Sequence, residues 1–198
     1  MLSREELEKR IHSDDLSTKL VVSPILDKEQ QLGDCSIDLR LGNSFLIPKR
    51  NELSLFDPMK FELMEREIKR VEKEYVKFGS PFYLHPNKVI LATTLEFLAI
   101  PKDTSARIVT RASYERLGIQ IHTTAQPGYK GNLTLTLINN GNTPVILYPG
   151  TRIIQLSLFE LENKMLEGYK GKYSFEDGPL FSKAHKDKDL EKIKKIKI

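Results

Sequence analysis

Apolar and polar residues alternate along much of the chain. Ile37, Leu39 and Leu41 alternate with Asp38 and Arg40, and Leu133, Leu135 and Leu137 alternate with Thr134 and Thr136. This period of two marks strands with one buried face and one polar face. Further strand-like runs occupy residues 81–86, 89–94, 96–101 and 152–156, each bounded by Gly, Pro or Asn. Residues 20–24 form a short extended segment, because the residue before Pro24 is pushed out of the helical region. Beyond a short helical turn after Arg111, helical spacing before the tail falls in two places. Ser3 and Glu6 have the spacing of a capping box and precede Leu7 and Ile11 on one face, which predicts a first helix of two to three turns. Residues 59–71 show mixed periodicity that fits either a helix or an irregular excursion. They lie in a highly charged stretch, 50–77, that reads as a solvent-facing insertion or peripheral layer. Many short strands between turns predict a mainly β fold, an antiparallel jelly-roll-like sandwich or barrel with a few short helices.

Composition narrows this picture. The 198 residues suit one domain, residues 1–182, followed by a Lys-rich tail, 183–198. The formal net charge of +4 comes entirely from that tail, where seven Lys face Asp187, Asp189 and Glu191, 7 − 3 = +4. With no interleaved aromatics, the tail reads as a solvated segment, partly disordered or helical, and the rest of the chain is neutral, which argues against nucleic acid as a partner. Cys35 is the single cysteine and no Cys/His cluster has zinc spacing, so a reducing compartment and no structural metal are expected. No apolar run approaches the roughly 20 residues of a membrane helix, and no signal-peptide core follows Met1; no membrane association and a cytoplasmic location are the expectation.

The candidate chemistry lies between residues 108 and 159. Arg111, Ser113 and Arg116 fall at a strand-to-turn junction, where free backbone N–H groups, a hydroxyl and two guanidinium groups can converge on an anion. The run Arg111-Ala-Ser-Tyr-Glu-Arg-Leu-Gly118, the segment from His122 through Pro127-Gly-Tyr-Lys-Gly131, and Pro149-Gly-Thr-Arg-Ile-Ile-Gln155 together resemble the trimeric dCTP deaminase and dUTPase family, in its dCTP deaminase-like branch. Ser36-Ile-Asp-Leu-Arg-Leu-Gly42 resembles the family's early strand, residues 90–96 its strand before the core, and Tyr169-Lys-Gly-Lys-Tyr173 with Gly178 its C-terminal arm. The resemblance covers roughly residues 20–187.

The resemblance implies a homotrimer whose sites draw on more than one subunit and bind a deoxynucleoside triphosphate, with Mg²⁺ carried on the phosphates and no protein metal centre. It assigns nucleotide and phosphate contacts to Arg111, Ser113, Arg116, Ala125, Gln155, Lys172 and Tyr173. Three positions depart from the family's catalytic pattern. Deamination of cytosine by water needs a general base, and the family's strand Glu is Thr136 here, a hydroxyl that cannot act as that base unaided. The family's first Ser after the Arg is Ala112. The hairpin Asp used in dUTPase chemistry is replaced by Gln126, an amide that can orient water but cannot accept its proton. The hairpin between Ala125 and Pro127 is about three residues shorter than the family pattern. Glu115 and His122 are the nearest possible substitute bases, although a carboxylate between Arg111 and Arg116 reads more simply as a salt bridge. Glu176 stands where the family carries a nucleotide-contacting Gln. Two readings stay open: a divergent deaminase or diphosphohydrolase, and a catalytically inactive sensor, regulatory subunit or structural trimer.

Overall fold

The structure is a computed structural model and describes residues 1–48, 55–163, 167–169, 171–173, 178–194 and 196. In chain order its elements are α1 (Arg4–Ile11), β1 (Val21–Ser23), α2 (Lys28–Gln31), β2 (Ile37–Ile47), α3 (Phe61–Lys69), β3 (Glu72–Tyr75), β4 (Phe82–Leu84), β5 (Val89–Ala99), β6 (Thr104–Thr110), α4 (Ala112–Glu115), β7 (Ile119–Ala125), β8 (Lys130–Asn139), β9 (Val145–Leu147), β10 (Arg152–Glu160) and α5 (Lys188–Lys194), with a 3-10 turn at Ala184–Lys186. Strands β5, β8, β7, β6, β10 and β2 pair in that order, and β2 pairs back onto β5, closing an antiparallel barrel. Closure leaves no free edge in the ring. Short β1 and β3 extend it beside β5 and β2.

The alternating residues fill the barrel. Ile37, Leu39, Leu41, Leu135, Leu137, Ile153, Ile154 and Leu156 are all fully buried, while Asp38, Arg40, Thr134 and Thr136 lie on the other faces of their strands. A second sheet of β4 and β9 docks through Phe82, whose ring stacks on Phe45 of β2 at 4.2 Å. Ser3 caps α1 by accepting from the Glu6 amide. Buried Arg10 then ties that helix to the barrel by a bidentate bond to Asp103 (2.8 and 2.9 Å) and a contact with Glu160. Such a pair must be kept whole, because either charge left alone in the interior is costly.

Two expectations are refined. Residues 89–94 and 96–101 predict separate strands, yet Val89–Ala99 is one strand with an irregularity between Thr93 and Phe97. There the Thr94 hydroxyl bonds the Glu96 carbonyl at 2.8 Å, and Asn132 donates to the Thr94 and Leu95 carbonyls, so side chains complete the interrupted ladder. Within residues 59–71, Phe61–Lys69 forms a true helix, α3, and the tail contains α5. No helix among the described residues is long and apolar enough to cross a membrane.

Candidate functional site

The first part of the candidate site is built by strand order. β10 lies between β2 and β6, which sets Gln155 beside Asp38 on one side and Val109 on the other. At the end of β6 the chain turns into α4, and the Arg111 amide donates to the Ile153 carbonyl, so the turn is anchored on β10. The result is a pocket of about 380 Å³ lined by Gln30, Gly33, Ser36, Asp38, Arg111, Ala112, Ser113 and Gln155.

Its charges hold one another. Arg111 Nε donates to Asp38 Oδ2 at 2.8 Å, and its Nη1 donates to the Arg152 carbonyl at 2.9 Å. Arg152 approaches the same Asp38 oxygen at 3.4 Å and donates to the carbonyl and side-chain oxygens of Gln30. Gln155 Nε2 donates to Ser36 Oγ at 3.1 Å. Burial raises the Asp38 pKa above the usual carboxylate value, against the pull of Arg111 and Arg152. Arg111 is therefore oriented before any ligand arrives, with guanidinium N–H groups still free of these bonds.

The second part is a cavity of about 920 Å³ on the outer face of β5, β7 and β8. Thr123, Thr124, Gln126, Thr134 and Thr136 give it a band of neutral hydrogen-bonding groups, and Phe56, Tyr129, Tyr169, Tyr173 and Phe181 give it aromatic walls. The arm forms one side. The Leu180 amide donates to Thr134 Oγ1 at 3.2 Å, and the Phe181 and Phe56 rings meet at 5.1 Å. The arm begins against the hairpin, where the Tyr169 amide donates to the Pro127 carbonyl. Only glycine serves at residue 128: its φ is +81°, and a Cβ there would stand 2.5 Å from the Gly168 Cα. Burial and neighbouring Tyr169 push the Tyr129 hydroxyl up to about 12, so it stays protonated and donates to the Asn132 carbonyl.

The predicted residues divide between these regions. Arg111, Ser113 and Gln155 share the first pocket with Ala112, whereas Gln126, Thr136 and Tyr173 line the cavity. Ala125 is buried in the barrel opposite Ala106. Arg116 and Glu115 are exposed at the end of α4. The salt-bridge reading of Glu115 is corrected: among the described residues neither arginine pairs with it, because Arg111 is turned toward Asp38. Lys172 pairs with Asp187 of the tail and donates to the Lys183 carbonyl. The Lys183 amide donates to the Tyr173 hydroxyl at 3.0 Å, so the tail closes on the arm. The His122 side chain and Glu176 lie outside the described residues. No group of three or more His, Cys, Asp or Glu gathers as a metal site among the described residues.

Sequence reasoning missed the part played by Asp38 and Arg152. Asp38 serves Arg111 and Arg152, while Arg40, two residues along the same strand, donates to the Gly150 carbonyl at 2.9 Å. The available signal was the shared face of Ser36 and Asp38, two residues apart on the polar side of β2.

This architecture agrees with comparisons to known proteins. A family model described as dCTP deaminase-like matches residues 1–161. The chain is similar to a dUMP-forming dCTP deaminase of Dictyoglomus turgidum, 38% identical over 195 residues that cover 94% of this chain and 96% of that one. A dCTP deaminase of Natronomonas pharaonis is 38% identical over 198 residues, 96% and 97% of the two chains. Among solved structures, a 2′-deoxycytidine 5′-triphosphate deaminase from Agrobacterium tumefaciens aligns with a TM-score of 0.59 at 23% identity, covering 79% of this chain and 45% of that one. With the family model matching residues 1–161 and two relatives 38% identical across most of its length, the chain belongs to the dCTP deaminase-like family.

Proposed function

We propose that the chain binds a deoxynucleoside triphosphate, with its phosphates on Arg111, Ser113 and Gln155 and its nucleoside in the cavity of threonines and aromatic rings, and that it does so without the family's usual proton-transfer groups. The observation that carries this reading is the cavity lining. Thr136 and Gln126 are on its wall, and no carboxylate or imidazole is among its described lining side chains. Threonine and amide groups can hydrogen-bond a base edge, and tyrosines can cover a sugar or ring face. They cannot take a proton from water near neutral pH. Mg²⁺ enters with the nucleotide, on phosphate oxygens.

The assembly in this reading is a homotrimer. Ala112 and Thr136, which the resemblance pairs in one reaction centre, belong to different pockets of a single chain, and the two pockets share no lining residue. A complete site then needs the anion pocket of one subunit against the cavity of another. The one-domain reading, residues 1–182 with a tail, is kept, with the refinement that the tail is packed on the arm.

The relatives' printed activity makes dCTP the first ligand to test. Calorimetry with dCTP and dUTP, followed by chromatography of the incubated nucleotide, decides the matter. Binding without conversion to dUTP, dUMP or pyrophosphate is expected. Turnover at about 1 per second or faster would overturn the inactive reading and leave the family's deaminase activity in its place. Light scattering of a monomer would remove the shared-site assembly.

A further inference from the structure

A buried carboxylate behind the anion pocket takes no part in the contacts above. Glu96, on β5, is fully buried. One of its oxygens accepts from Gln31 Nε2 at 3.1 Å, and the other accepts from the Arg40 amide at 2.9 Å. Gln31 is also fully buried; its Nε2 donates to the Asp38 carbonyl at 3.2 Å, and its oxygen accepts from the Leu26 and Asp27 amides. The polarity of this network is set. Both Glu96 oxygens face N–H donors, and the Gln31 amide cannot flip without opposing two backbone donors at Leu26 and Asp27. A proton on Glu96 removes the charge that both donors face and turns one of its oxygens into a hydroxyl, a weaker acceptor, so the bonds to Gln31 and Arg40 are weakened.

The two elements joined by Glu96 are the walls of the anion pocket. Gln31 belongs to α2, and the adjacent Gln30 lines the pocket and receives Arg152; the Asp38 and Arg40 backbone belongs to β2, whose Asp38 side chain orients Arg111. We propose that Glu96 is a positioning residue for this pocket: its buried carboxylate clamps α2 to β2 and so sets the spacing of the groups that receive an anion, making anion affinity depend on whether Glu96 is ionised. The pocket's use for nucleotide phosphate rests on the function proposed above; the clamp itself does not.

Burial, outweighing the donated bonds and the nearby Arg40 charge, pushes Glu96 up to about 7. Arg40 is the charged group facing it from β2; the neighbours that β1 and β8 pair opposite Phe97 are Ser23 and Asn132, which do not titrate. The linkage has a definite sign. A carboxyl whose folded pKa lies above its unfolded value favours folding below the unfolded value of about 4.5, and that contribution is lost as pH rises through about 7. Affinity should move the other way, because the clamp is complete only when the carboxylate is ionised. A merely structural carboxylate has no reason to oppose stability and affinity in this manner. Asp38 cannot imitate the effect: its protonation removes negative charge beside Arg111 and strengthens anion binding as pH falls.

The experiment measures sulfate binding by chemical-shift titration, and thermal midpoints, for the wild type and Glu96→Gln from pH 5.5 to 8.5. Sulfate keeps its charge across this range, so only protein groups titrate. Expected for the wild type is a severalfold rise in sulfate affinity through pH 7. Over the same range its thermal midpoint should fall relative to that of Glu96→Gln, whose affinity should be weaker and flat. Parallel affinity profiles in the two proteins, unchanged affinity in the variant, or no sulfate binding by the wild type would overturn the clamp. If Glu96→Gln does not fold, Gln31→Met breaks the clamp from the other side and should weaken sulfate binding; wild-type affinity there would also overturn it. Sulfate behaving as expected while dCTP fails to bind would leave the clamp standing and remove the nucleotide reading.

Discussion

The charged pocket around Arg111 and the aromatic cavity lie on one barrel and are assembled by opposite means. In the pocket, Asp38, Arg111, Arg152 and Gln30 hold one another through directional charged bonds, so the Arg111 guanidinium is fixed in place. In the cavity, aromatic rings and threonines surround a large volume whose boundary includes the arm, held by neutral contacts such as the hydrogen bonds from the Tyr169 and Leu180 amides and the Phe181–Phe56 ring contact. Charge-assisted bonds are about twice as strong as neutral ones and carry geometric specificity. On the function proposed above, the contrast separates affinity from chemistry: Arg111 is braced to receive phosphate, whereas the cavity wall carries Thr136 where the resemblance expects a Glu.

The largest test of this contrast is Arg111→Ala. It removes a charged donor and leaves Asp38 without its nearest partner, so triphosphate affinity should fall about a hundredfold, since losing a bond to a charged group costs roughly 1.5–3 kcal/mol. Calorimetry with dCTP and deoxycytidine should find the loss confined to the triphosphate; an equal loss for both would erase the distinction between the regions. Next comes the attempt to restore chemistry, Thr136→Glu with Ala112→Ser. The hairpin shortened around Gln126 should keep the base misplaced, and about 1 Å of misplacement costs on the order of a hundredfold. Product analysis with dCTP should therefore find a rate well below the roughly 1 per second of ordinary enzymes.

A smaller effect is expected at the tail. Asp187→Asn releases the Lys172 ammonium, which the resemblance directs to phosphate. Exposed ion pairs contribute about 0–1 kcal/mol, so dCTP should bind at most about fivefold more tightly, with the gain shrinking as salt is raised. Weaker binding in this variant would mean that the tail supports the site instead of competing for Lys172. The smallest effect is expected for Glu115→Ala. With Glu115 exposed and bonded to neither arginine, dCTP affinity and thermal midpoint should both stay within measurement error of the wild type.

Local pattern was enough to write the mainly β fold, though not whether its strands closed as a sandwich or a barrel. The apolar alternation of β2 and β8, the Ser3 cap and the turn at Gly128 are dictated by neighbours in sequence, where side-chain period and backbone freedom operate directly. The order of motifs was likewise enough to indicate the family and to bring Arg111, Ser113 and Gln155 into one expectation. Alternation also marked the polar face carrying Asp38 and Arg40, but it could not assign their partners. Asp38 meets Arg111 and Arg152 only because β10 runs between β2 and β6, and Arg40 meets the Gly150 carbonyl. The same limit explains Glu96 and Lys172. A strand carboxylate becomes a buried clamp only when α2 covers it, and an arm lysine is occupied only when the tail folds back to it. Burial and long-range pairing depend on how distant segments share space, and that sharing was decided by barrel closure.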